Sequence, residues 1–509
     1  MVKPSFEETT EPRIAMGAGE MALCEAPGRA PSVPRGGFSL QALTRQSAVN
    51  MTGGLISQAL KFFVVIYVAR QFSVPEFGLF SFAVAVNAYM FIVSNFGLPV
   101  FGSRAVAKSG RVSRELVIQI CWLRACLALF ATVLAVGILA LVPGVSRLEL
   151  QLVGIFGVSN FAQAGLFDWA FQGLHHQEIS AILNVIWQGG WLVLTIVSVR
   201  LGLGIRGVAL ALFASAFFAS IIGYIWLRQA TAFQQGENHQ RPLFDRSWEM
   251  LKSAAPLGWG TLLITVILWS DAVLVRSLRG EQSVGLYAAG NRAALALAML
   301  ASMYVQGAFP LLSRMSSEGT AQFSRYFQRC YQDMALCFLP GSLWAVFYAP
   351  QIILAVFKRP EYLSTVPVFR IFQVTFLLTA LWNLYGTGAV IAFHRDRDYQ
   401  RVLALTAAVF LPLCCLLTAL DGIRGASLAV LFTQAFCLLA FMTKSRRFVH
   451  VNHRSALLLP LFLGLGVAAG SKVLGLSLFP SAVLLTLAYV GIMLVRFRGS
   501  YLTRGVFQP

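Results

Sequence analysis

Fourteen apolar stretches run through this chain, and each is about long enough to cross a membrane as a helix. A helix needs roughly 20 apolar residues to cross the ~30 Å hydrocarbon core. Inside that core the backbone has to satisfy its own hydrogen bonds, so we expect each stretch to be helical. The stretches lie at 50–70, 79–101, 115–142, 149–172, 179–200, 206–228, 249–276, 284–311, 328–357, 366–393, 401–420, 424–443, 456–472 and 478–496. The sequence therefore predicts an all-α polytopic membrane protein with about 14 transmembrane helices.

Composition agrees with that class and excludes others. Hydrophobic residues make up 57% of the chain and charged residues 12%, whereas a soluble domain carries about 25% charged residues. The segments between the apolar stretches are too short to hold a soluble catalytic domain. The net charge is +19, but no soluble domain is predicted that could present this charge to nucleic acid. The charge therefore favours anionic membrane lipids as partners over nucleic acid.

The chain divides into four predicted regions. Residues 1–45 are rich in proline, glycine and glutamate, with no apolar run after a basic start, and we interpret them as a disordered cytoplasmic tail without a signal peptide. Residues 46–245 form an N-terminal lobe of six helices, and residues 246–445 form a C-terminal lobe of six more. Residues 446–509 add two helices and a short tail.

Basic residues predict the orientation. Of the 40 lysines and arginines, 26 fall in segments that would lie on one side of the membrane and 11 on the other. Cytoplasmic loops carry the excess of basic residues. Both termini are therefore predicted to be cytoplasmic, as an even number of helices requires.

Two regions of the chain resemble each other. Gly78 and Gly285 open similar helices 207 positions apart, and Pro99 and Pro310 lie 211 positions apart near the predicted ends of those helices. The pairs Ser113-Arg114 and Ser324-Arg325, also 211 apart, are expected to open the next helices. Six helices in each copy give a parallel repeat, which is a transporter architecture with its substrate site between the halves.

The first helix has a polar stripe. Asn50, Gly54, Ser57 and Lys61 fall on one face at 100° per residue. Ionisable groups in the hydrocarbon cost ~2.5–3.5 kcal/mol or more, so each is a functional candidate. We expect this stripe to face a cavity between the lobes, with Asn50, Ser57 and Lys61 binding substrate.

Four other buried charges accompany Lys61. Arg124 and Arg292 are candidate substrate-binding cations, and Asp168 and Asp271 are the buried acids. Three cations against two acids leave a positive surplus, which suits an anionic group such as a phosphate. The structural alternative is that the charges only pair, Asp271 with Arg292 and Asp168 with Arg124.

Metal and cofactor sites are not expected. The cysteines show no metal-type pair, and His450 and His453 stand in a basic loop without further ligands. There is no glycine-rich nucleotide loop. We predict no metal, no cofactor and no catalytic residues.

Residues 62–102 resemble the opening of the Wzx-type polysaccharide-biosynthesis flippases. This family belongs to the multidrug/oligosaccharidyl-lipid/polysaccharide exporter superfamily. The resemblance rests on 68–70 (VAR), 75–80 (PEFGLF) and 95–99 (NFGLP), with support from 168–174 (DWAFQGL) and from Asp271 followed by 284–287 (VGLY). It extends over about residues 45–445.

The resemblance implies a flippase of the bacterial inner membrane. Such proteins move an undecaprenyl-diphosphate-linked oligosaccharide between leaflets by alternating access, for the synthesis of O-antigen, capsule or exopolysaccharide. Related members of the superfamily couple transport to an ion gradient, which makes Asp168 and Asp271 candidate ion-coupling acids. Its implied partners are this anionic lipid-linked glycan, membrane lipids, and the polysaccharide polymerase and chain-length machinery. The alternatives are a membrane-embedded polymerase or acyltransferase, and an exporter of drugs or of the peptidoglycan precursor.

Overall fold

Helices make up nearly all of the computed structural model, which describes residues 40–230, 243–489 and 491; no strand occurs in this described part. The helices are α1 (Leu40–Gln71), α2 (Val74–Asn95), α3 (Leu98–Ser109), α4 (Arg114–Leu141), α5 (Arg147–Ala164), α6 (Asp168–Gly173), α7 (Gln177–Arg200), α8 (Gly204–Ala230), α9 (Leu243–Glu318), α10 (Thr320–Phe347), α11 (Ala349–Phe357), α12 (Val366–Tyr385), α13 (Asp396–Ser445), α14 (His453–Val473) and α15 (Leu478–Tyr489). A 3-10 helix (Pro360–Thr365) precedes α12, and a π-helical turn (Gly386–Ile391) follows it. The described residues from Gln46 onward form one compact unit.

The described helices correspond to the apolar stretches of the sequence. By length and composition, ten described helical segments can cross a membrane, or eleven if α10 and α11, bent by 85°, count as one span. Gly280 interrupts α9, and Asp421 and Gly422 interrupt α13, so each of these helices holds two crossings. With these divisions and the shorter α15, the helices account for all fourteen predicted stretches. The prediction of an all-α polytopic membrane protein is confirmed.

Several predicted boundaries differ from the structure. Helix α1 begins at Leu40, so residues 40–45 are helical; residues 1–39 of the predicted tail lie outside the described residues. The helix after Gly280 continues through Pro310 to Glu318, where an end near Pro310 was expected. Arg325 does not open a helix either, because α10 begins at Thr320. A proline removes one hydrogen bond and bends a helix, but packing can carry the helix past it.

Local sequence sets the sharp turns of the first half. Ser73 and Glu76 form a capping box at the start of α2, and Ser146 and Glu149 form another at the start of α5. Between α2 and α3 the chain turns at Gly97, whose φ of 79° lies in the left-handed region that glycine adopts without strain. The first resemblance motifs therefore correspond to real helix boundaries.

Large apolar side chains remain exposed on the outside of the bundle. On α4, Phe130 is 60% exposed, Val133 62% and Leu141 85%. A soluble protein rarely exposes such a continuous apolar face. This surface is therefore suited to contact with lipid.

The loops gather at two ends of the bundle, and these ends match the two predicted sides. At the first, which we call the Gly280 end, Arg359 donates to the carbonyl of Phe72, Arg276 to that of Gly144, and Arg279 to that of Thr418. At the other, which we call the Arg446 end, Ser324 donates to the carbonyl of His450 and Lys444 contacts Asp398. Which end faces the cytoplasm stays a prediction.

The two repeat-related glycines meet where α2 crosses α9. A Cβ on Gly78 would lie 2.0 Å from the carbonyl oxygen of Glu281, and one on Gly285 would lie 2.2 Å from that of Val74. Glu281 and Val74 stand at the same offset, four residues before each glycine. The contact is therefore reciprocal, as a two-fold relation between the repeats predicts.

Candidate functional site

The predicted site residues line two cavities inside the bundle. The first, which we call the α7 cavity, has a volume of about 260 Å³, and its lining includes Arg124, Asp168 and Trp187. The second, which we call the α9 cavity, has a volume of about 180 Å³, and its lining includes Asp271 and Arg292. Four of the five predicted charges are thus divided between the two cavities, and the fifth, Lys61, lines neither.

Lys61 lies beside the α7 cavity, above an aromatic ring. Helix α1 packs tightly on α7, because Gly53 lets the backbone approach Ala181; a Cβ on Gly53 would lie 2.6 Å from that of Ala181. Two turns further on, the Nζ of Lys61 lies 5.9 Å from the ring centroid of Trp187. A cation–π contact of this kind stabilises a cation by ~0.5–2 kcal/mol. No carboxylate of the described residues lies within 4 Å of Lys61.

The rest of the polar stripe of α1 is partly described. Ser57 is buried, and its Oγ has no hydrogen-bond partner among the described residues. It stands one turn before Lys61. The side chain of Asn50 lies outside the described residues, so its predicted role is not tested. An unpartnered hydroxyl beside an ammonium that lacks a carboxylate leaves both groups available to a ligand.

Arg124 braces a break between two helices. Its guanidinium donates to the carbonyl oxygens of Gln163 at 2.8 Å, Ala164 at 3.1 Å and Leu166 at 3.2 Å. The carbonyls of Gln163 and Ala164 belong to the last turn of α5, where carbonyl groups lack a full set of helical partners, and that of Leu166 lies in the segment before α6. Arg124 is 3% exposed. This geometry favours a structural role for Arg124 over direct contact with substrate.

Asp168 begins α6 on the other side of that break. It lines the α7 cavity together with Arg124, and the two charges attract each other. They form no ion pair within 4 Å, so the alternative in which Asp168 pairs directly with Arg124 is wrong. The carbonyls at the end of α5 hold the guanidinium instead.

Asp271 also has a different partner from the expected one. Its carboxylate accepts hydrogen bonds from the hydroxyl of Tyr287 at 2.6 Å and from the backbone N–H of Ala272 at 2.7 Å. Arg292 lies 4.6 Å from the ring centroid of Trp269 and forms no ion pair with Asp271. The alternative in which Asp271 pairs with Arg292 is therefore wrong as well. Tyr287 reaches Asp271 because the break at Gly280 folds the two parts of α9 against each other.

Two of the predicted cations have no carboxylate partner within 4 Å among the described residues. They are Lys61, beside the α7 cavity, and Arg292, in the lining of the α9 cavity, and their charges repel each other. Each is held against a tryptophan, Trp187 for Lys61 and Trp269 for Arg292. This arrangement concentrates unneutralised positive charge in the middle of the bundle.

Sequence reasoning missed three kinds of contact. Trp187 and Trp269 read as ordinary apolar residues, because a ring that holds a cation and one that faces lipid give the same sequence signal. Tyr287 stands out in the sequence only as part of the motif at 284–287. The bidentate pair between Arg276 and the fully buried Glu149, at 2.5 and 2.6 Å, was also missed. Glutamate three residues after Ser146 indicates only a capping box.

Comparison with known proteins places the chain in a family. The model of a family described as "Polysaccharide biosynthesis protein" matches residues 43–316, more than half of the chain. The chain belongs to this family. The resemblance drawn from residues 62–102 is confirmed. No curated protein shows significant sequence similarity to the chain.

Solved structures show the fold that this member of the polysaccharide biosynthesis family adopts. A structure titled "Lipid II flippase MurJ, inward closed conformation" aligns with a TM-score of 0.71 at 12% identity, covering 90% of this chain and 99% of that one. An inward-facing multidrug resistance MATE family transporter aligns at 0.57 and 14% identity, over 79% of this chain and 98% of that one. A transporter of the same superfamily from Pyrococcus furiosus aligns at 0.52 and 14% identity, over 80% and 95%. At these identities the likeness shows the fold, which this chain shares with the three solved structures.

Proposed function

We propose that this protein is a flippase that moves an undecaprenyl-diphosphate-linked oligosaccharide across the bacterial inner membrane for polysaccharide biosynthesis. The observation that carries the proposal is the pair of cations without carboxylate partners, Lys61 and Arg292, in the middle of the bundle. Membership of the polysaccharide biosynthesis family supports the class of substrate. A diphosphate is an anion that these two side chains would stabilise in a partly dry cavity, by ~4 kcal/mol per close pair of charges at an effective dielectric constant of 20.

The structure represents a state in which the site is closed. The two cavities, about 260 and 180 Å³, are smaller than the ~300–1,000 Å³ typical of a pocket for a drug-sized ligand. A diphosphate with several sugars is larger than that. Transport therefore requires residues 46–245 and 246–445, the proposed lobes, to separate first at one end and then at the other.

The contacts at the Gly280 end are those that such an opening would break. Arg70 donates to the carbonyl oxygens of Val356 at 2.6 Å and Ala355 at 3.2 Å, and Tyr362 donates to that of Ala69 at 3.1 Å. The Glu149–Arg276 pair also joins the two proposed lobes. Most of these are hydrogen bonds to backbone carbonyls, and each contributes ~0.5–3 kcal/mol, so a bound ligand could offset their loss.

Depletion of the protein in its host tests the proposal. Spheroplasts would be probed with a lectin that cannot cross the membrane, which detects only lipid-linked oligosaccharide in the outer leaflet. After depletion, we expect the complete lipid-linked oligosaccharide to accumulate without becoming accessible to the lectin. Normal lectin labelling would contradict the proposal.

The same experiment separates the alternatives. If the protein were a polymerase, depletion would leave single repeat units that the lectin reaches but that are not joined into a polymer. A drug exporter would leave the glycan unchanged and alter only drug sensitivity. A peptidoglycan-precursor flippase would cause cell-wall precursors to accumulate instead.

A further inference from the structure

A large basic pocket lies at the Arg446 end, away from the two internal cavities. It has a volume of about 990 Å³ and lies between the first half of α10 and the segment that joins α13 to α14. Arg325 and Arg329 line it from α10, and Arg446, His450 and His453 line it from the joining segment. The excess of basic residues on one predicted side of the membrane accounts for the charge of this region. It does not account for the arrangement of these residues around a pocket.

Hydrogen bonds fix the shape of this pocket. Ser324 donates to the carbonyl of His450, and the N–H of His450 donates back to Ser324, both at 3.0 Å. One turn along α10, Gln328 makes the same reciprocal contact with Asn452, at 3.3 and 2.8 Å. The joining segment is therefore held along one face of α10. A pocket fixed in this way can bind a ligand with little loss of chain entropy.

The arginines of the pocket lack acidic partners. Arg325 and Arg329 are one turn apart on one face of α10, as residues four positions apart always are. No acidic residue lines the pocket. Neither of them, nor Arg446, takes part in an ion pair among the described residues.

Some other cations of the same end are neutralised. Lys444 and Arg395 pair with Asp398 at 3.3 and 2.5 Å, and Arg314 pairs with Glu318 at 3.0 Å. What distinguishes the pocket is that three guanidiniums without an ion pair among the described residues line one concave surface.

We propose that this pocket binds a lipid headgroup that carries two phosphates. A guanidinium binds phosphate through two parallel hydrogen bonds, and three guanidiniums around one pocket suit two phosphates better than one. Basic pockets between transmembrane helices bind headgroups of this kind on the cytoplasmic side. The proposal does not depend on the proposed function.

The neighbouring surface favours a lipid over a soluble anion. Helix α14 begins at His453, on the rim of the pocket, and its Leu458, Leu459 and Phe462 are 50%, 57% and 69% exposed. Apolar side chains exposed beside a basic pocket would receive the tails of a ligand whose phosphates occupy the pocket. Inorganic diphosphate would use only the charged half of this surface.

Native mass spectrometry of the purified full-length protein tests the proposal. Three probes would be compared: cardiolipin, which carries two phosphates; phosphatidylglycerol, which carries one; and inorganic diphosphate. The pocket variant is Arg325→Gln/Arg329→Gln/Arg446→Gln. The control variant, Arg104→Gln/Arg114→Gln/Arg228→Gln, removes the same charge from exposed arginines outside the pocket.

We expect the wild type and the control variant to prefer cardiolipin to both other probes by at least tenfold, and the pocket variant to lose this preference. Equal cardiolipin binding by the pocket variant and the control would overturn the proposal, as would equal binding of phosphatidylglycerol. If the triple variant is not recovered, Arg325→Gln and Arg446→Gln singly should each lower cardiolipin binding several-fold. No loss in either single variant would also overturn it.

A competition experiment distinguishes the two sources of such a headgroup. Undecaprenyl diphosphate would be added to protein loaded with cardiolipin. Displacement would assign the pocket to the diphosphate of a transported lipid, and retention would assign it to a resident phospholipid. Both results support a site for two phosphates.

Discussion

An ammonium group in the middle of an apolar helix has few stable arrangements. It can pair with a carboxylate, reach an interface along its own side chain, or remain beside water or a polarisable surface. Lys61 has no carboxylate within 4 Å among the described residues and lies over the ring of Trp187. A contact that weak holds the cation in position without neutralising it, so the charge remains available to an anion.

We predict that Lys61→Ala abolishes or strongly reduces glycan export while the protein accumulates normally in the membrane. Lys61→Arg should retain part of the activity, since it keeps the charge but not the shape. Export would be measured as surface glycan, and protein level by immunoblot of membranes. Lys252→Ala is the matched control, because Lys252 lies 5.4 Å from the ring of Trp248 at an exposed position. Normal export by Lys61→Ala at wild-type level would contradict the role.

The buried acid Asp271 gives a prediction about stability. Tyr287→Phe removes a hydrogen bond of 2.6 Å to Asp271 and should lower the free energy of unfolding by about 1–3 kcal/mol. In double-mutant cycles, Asp271→Asn should be coupled more strongly to Tyr287→Phe than to Arg292→Gln. Unfolding in mixed micelles measures both couplings. If Asp271→Asn were coupled more strongly to Arg292→Gln, the result would support an ion pair between Asp271 and Arg292 instead.

At the scale of single residues, the sequence predicted which charges are buried but not their partners. The free-energy cost of placing a charge in an apolar span is enough to single out five residues, because such a charge needs either a partner or a function. They are Lys61, Arg124, Arg292, Asp168 and Asp271. The partners are carbonyls at the end of α5, a tyrosine and two tryptophans, and these leave no charge pattern to read. Opposite charges in the sequence suggested ion pairs, whereas in the structure these side chains contact carbonyl groups, a hydroxyl group and aromatic rings.

At the scale of elements, the length of the apolar stretches predicted where the helices lie but not where they are interrupted. Each of the fourteen stretches corresponds to a described helix, since crossing the hydrocarbon imposes length directly. The breaks at Gly280 and at Asp421–Gly422 lie in short polar segments that were expected as loops, yet the helices there run almost end to end. Pro310 was expected to end a helix and does not, because a proline changes the hydrogen bonding of one turn while neighbours decide whether the helix continues.

The crossing of α2 and α9 gives a test at this scale. Gly78→Ala and Gly285→Ala would each place a Cβ about 2 Å from a backbone carbonyl oxygen of the other helix. Because backbone cannot move aside as a side chain can, we expect each variant to lose most of its folded protein. Fluorescence-detected size exclusion after mild solubilisation measures this.

Gly137→Ala is the control for that experiment. Gly137 lies within α4, and a Cβ added there would have no described neighbouring atom within 4 Å, so its replacement should leave folded protein unchanged. Full recovery of both Gly78→Ala and Gly285→Ala would mean that the helices separate easily at this crossing.

At the scale of the whole molecule, the grouping of loops into two ends makes orientation testable. Reporter fusions after Gly173 and Gly319 should report cytoplasm, and fusions after Ser73 and Gly280 should report periplasm, because of the excess of basic residues at the Arg446 end. Alkaline phosphatase and a fluorescent protein give opposite signals on the two sides. Reversed signals at both pairs would reverse the predicted direction of transport.

Cross-linking tests whether the Gly280 end opens. In a variant without the eight native cysteines, a short bifunctional maleimide would join Arg70→Cys to Ala355→Cys, which lie in different proposed lobes. We expect this cross-link to stop export. Arg279→Cys with Ala419→Cys is the control, because it replaces a similar arginine-to-carbonyl contact within one lobe. Export that continues across a complete Arg70–Ala355 cross-link would exclude opening at this end.

The reciprocal glycine contact makes the molecule resemble a dimer whose two subunits share one polypeptide. In a dimer of identical subunits every residue near the axis appears twice, so its cavity must look the same from both sides. Here the halves are free to differ. Positions 207–211 after Lys61 are 268–272, which include Asp271 instead of a second lysine, and positions 207–211 before Arg292 are the uncharged residues 81–85. A cargo with a lipid at one end and sugars at the other has a direction, and only an asymmetric cavity can hold it in one orientation.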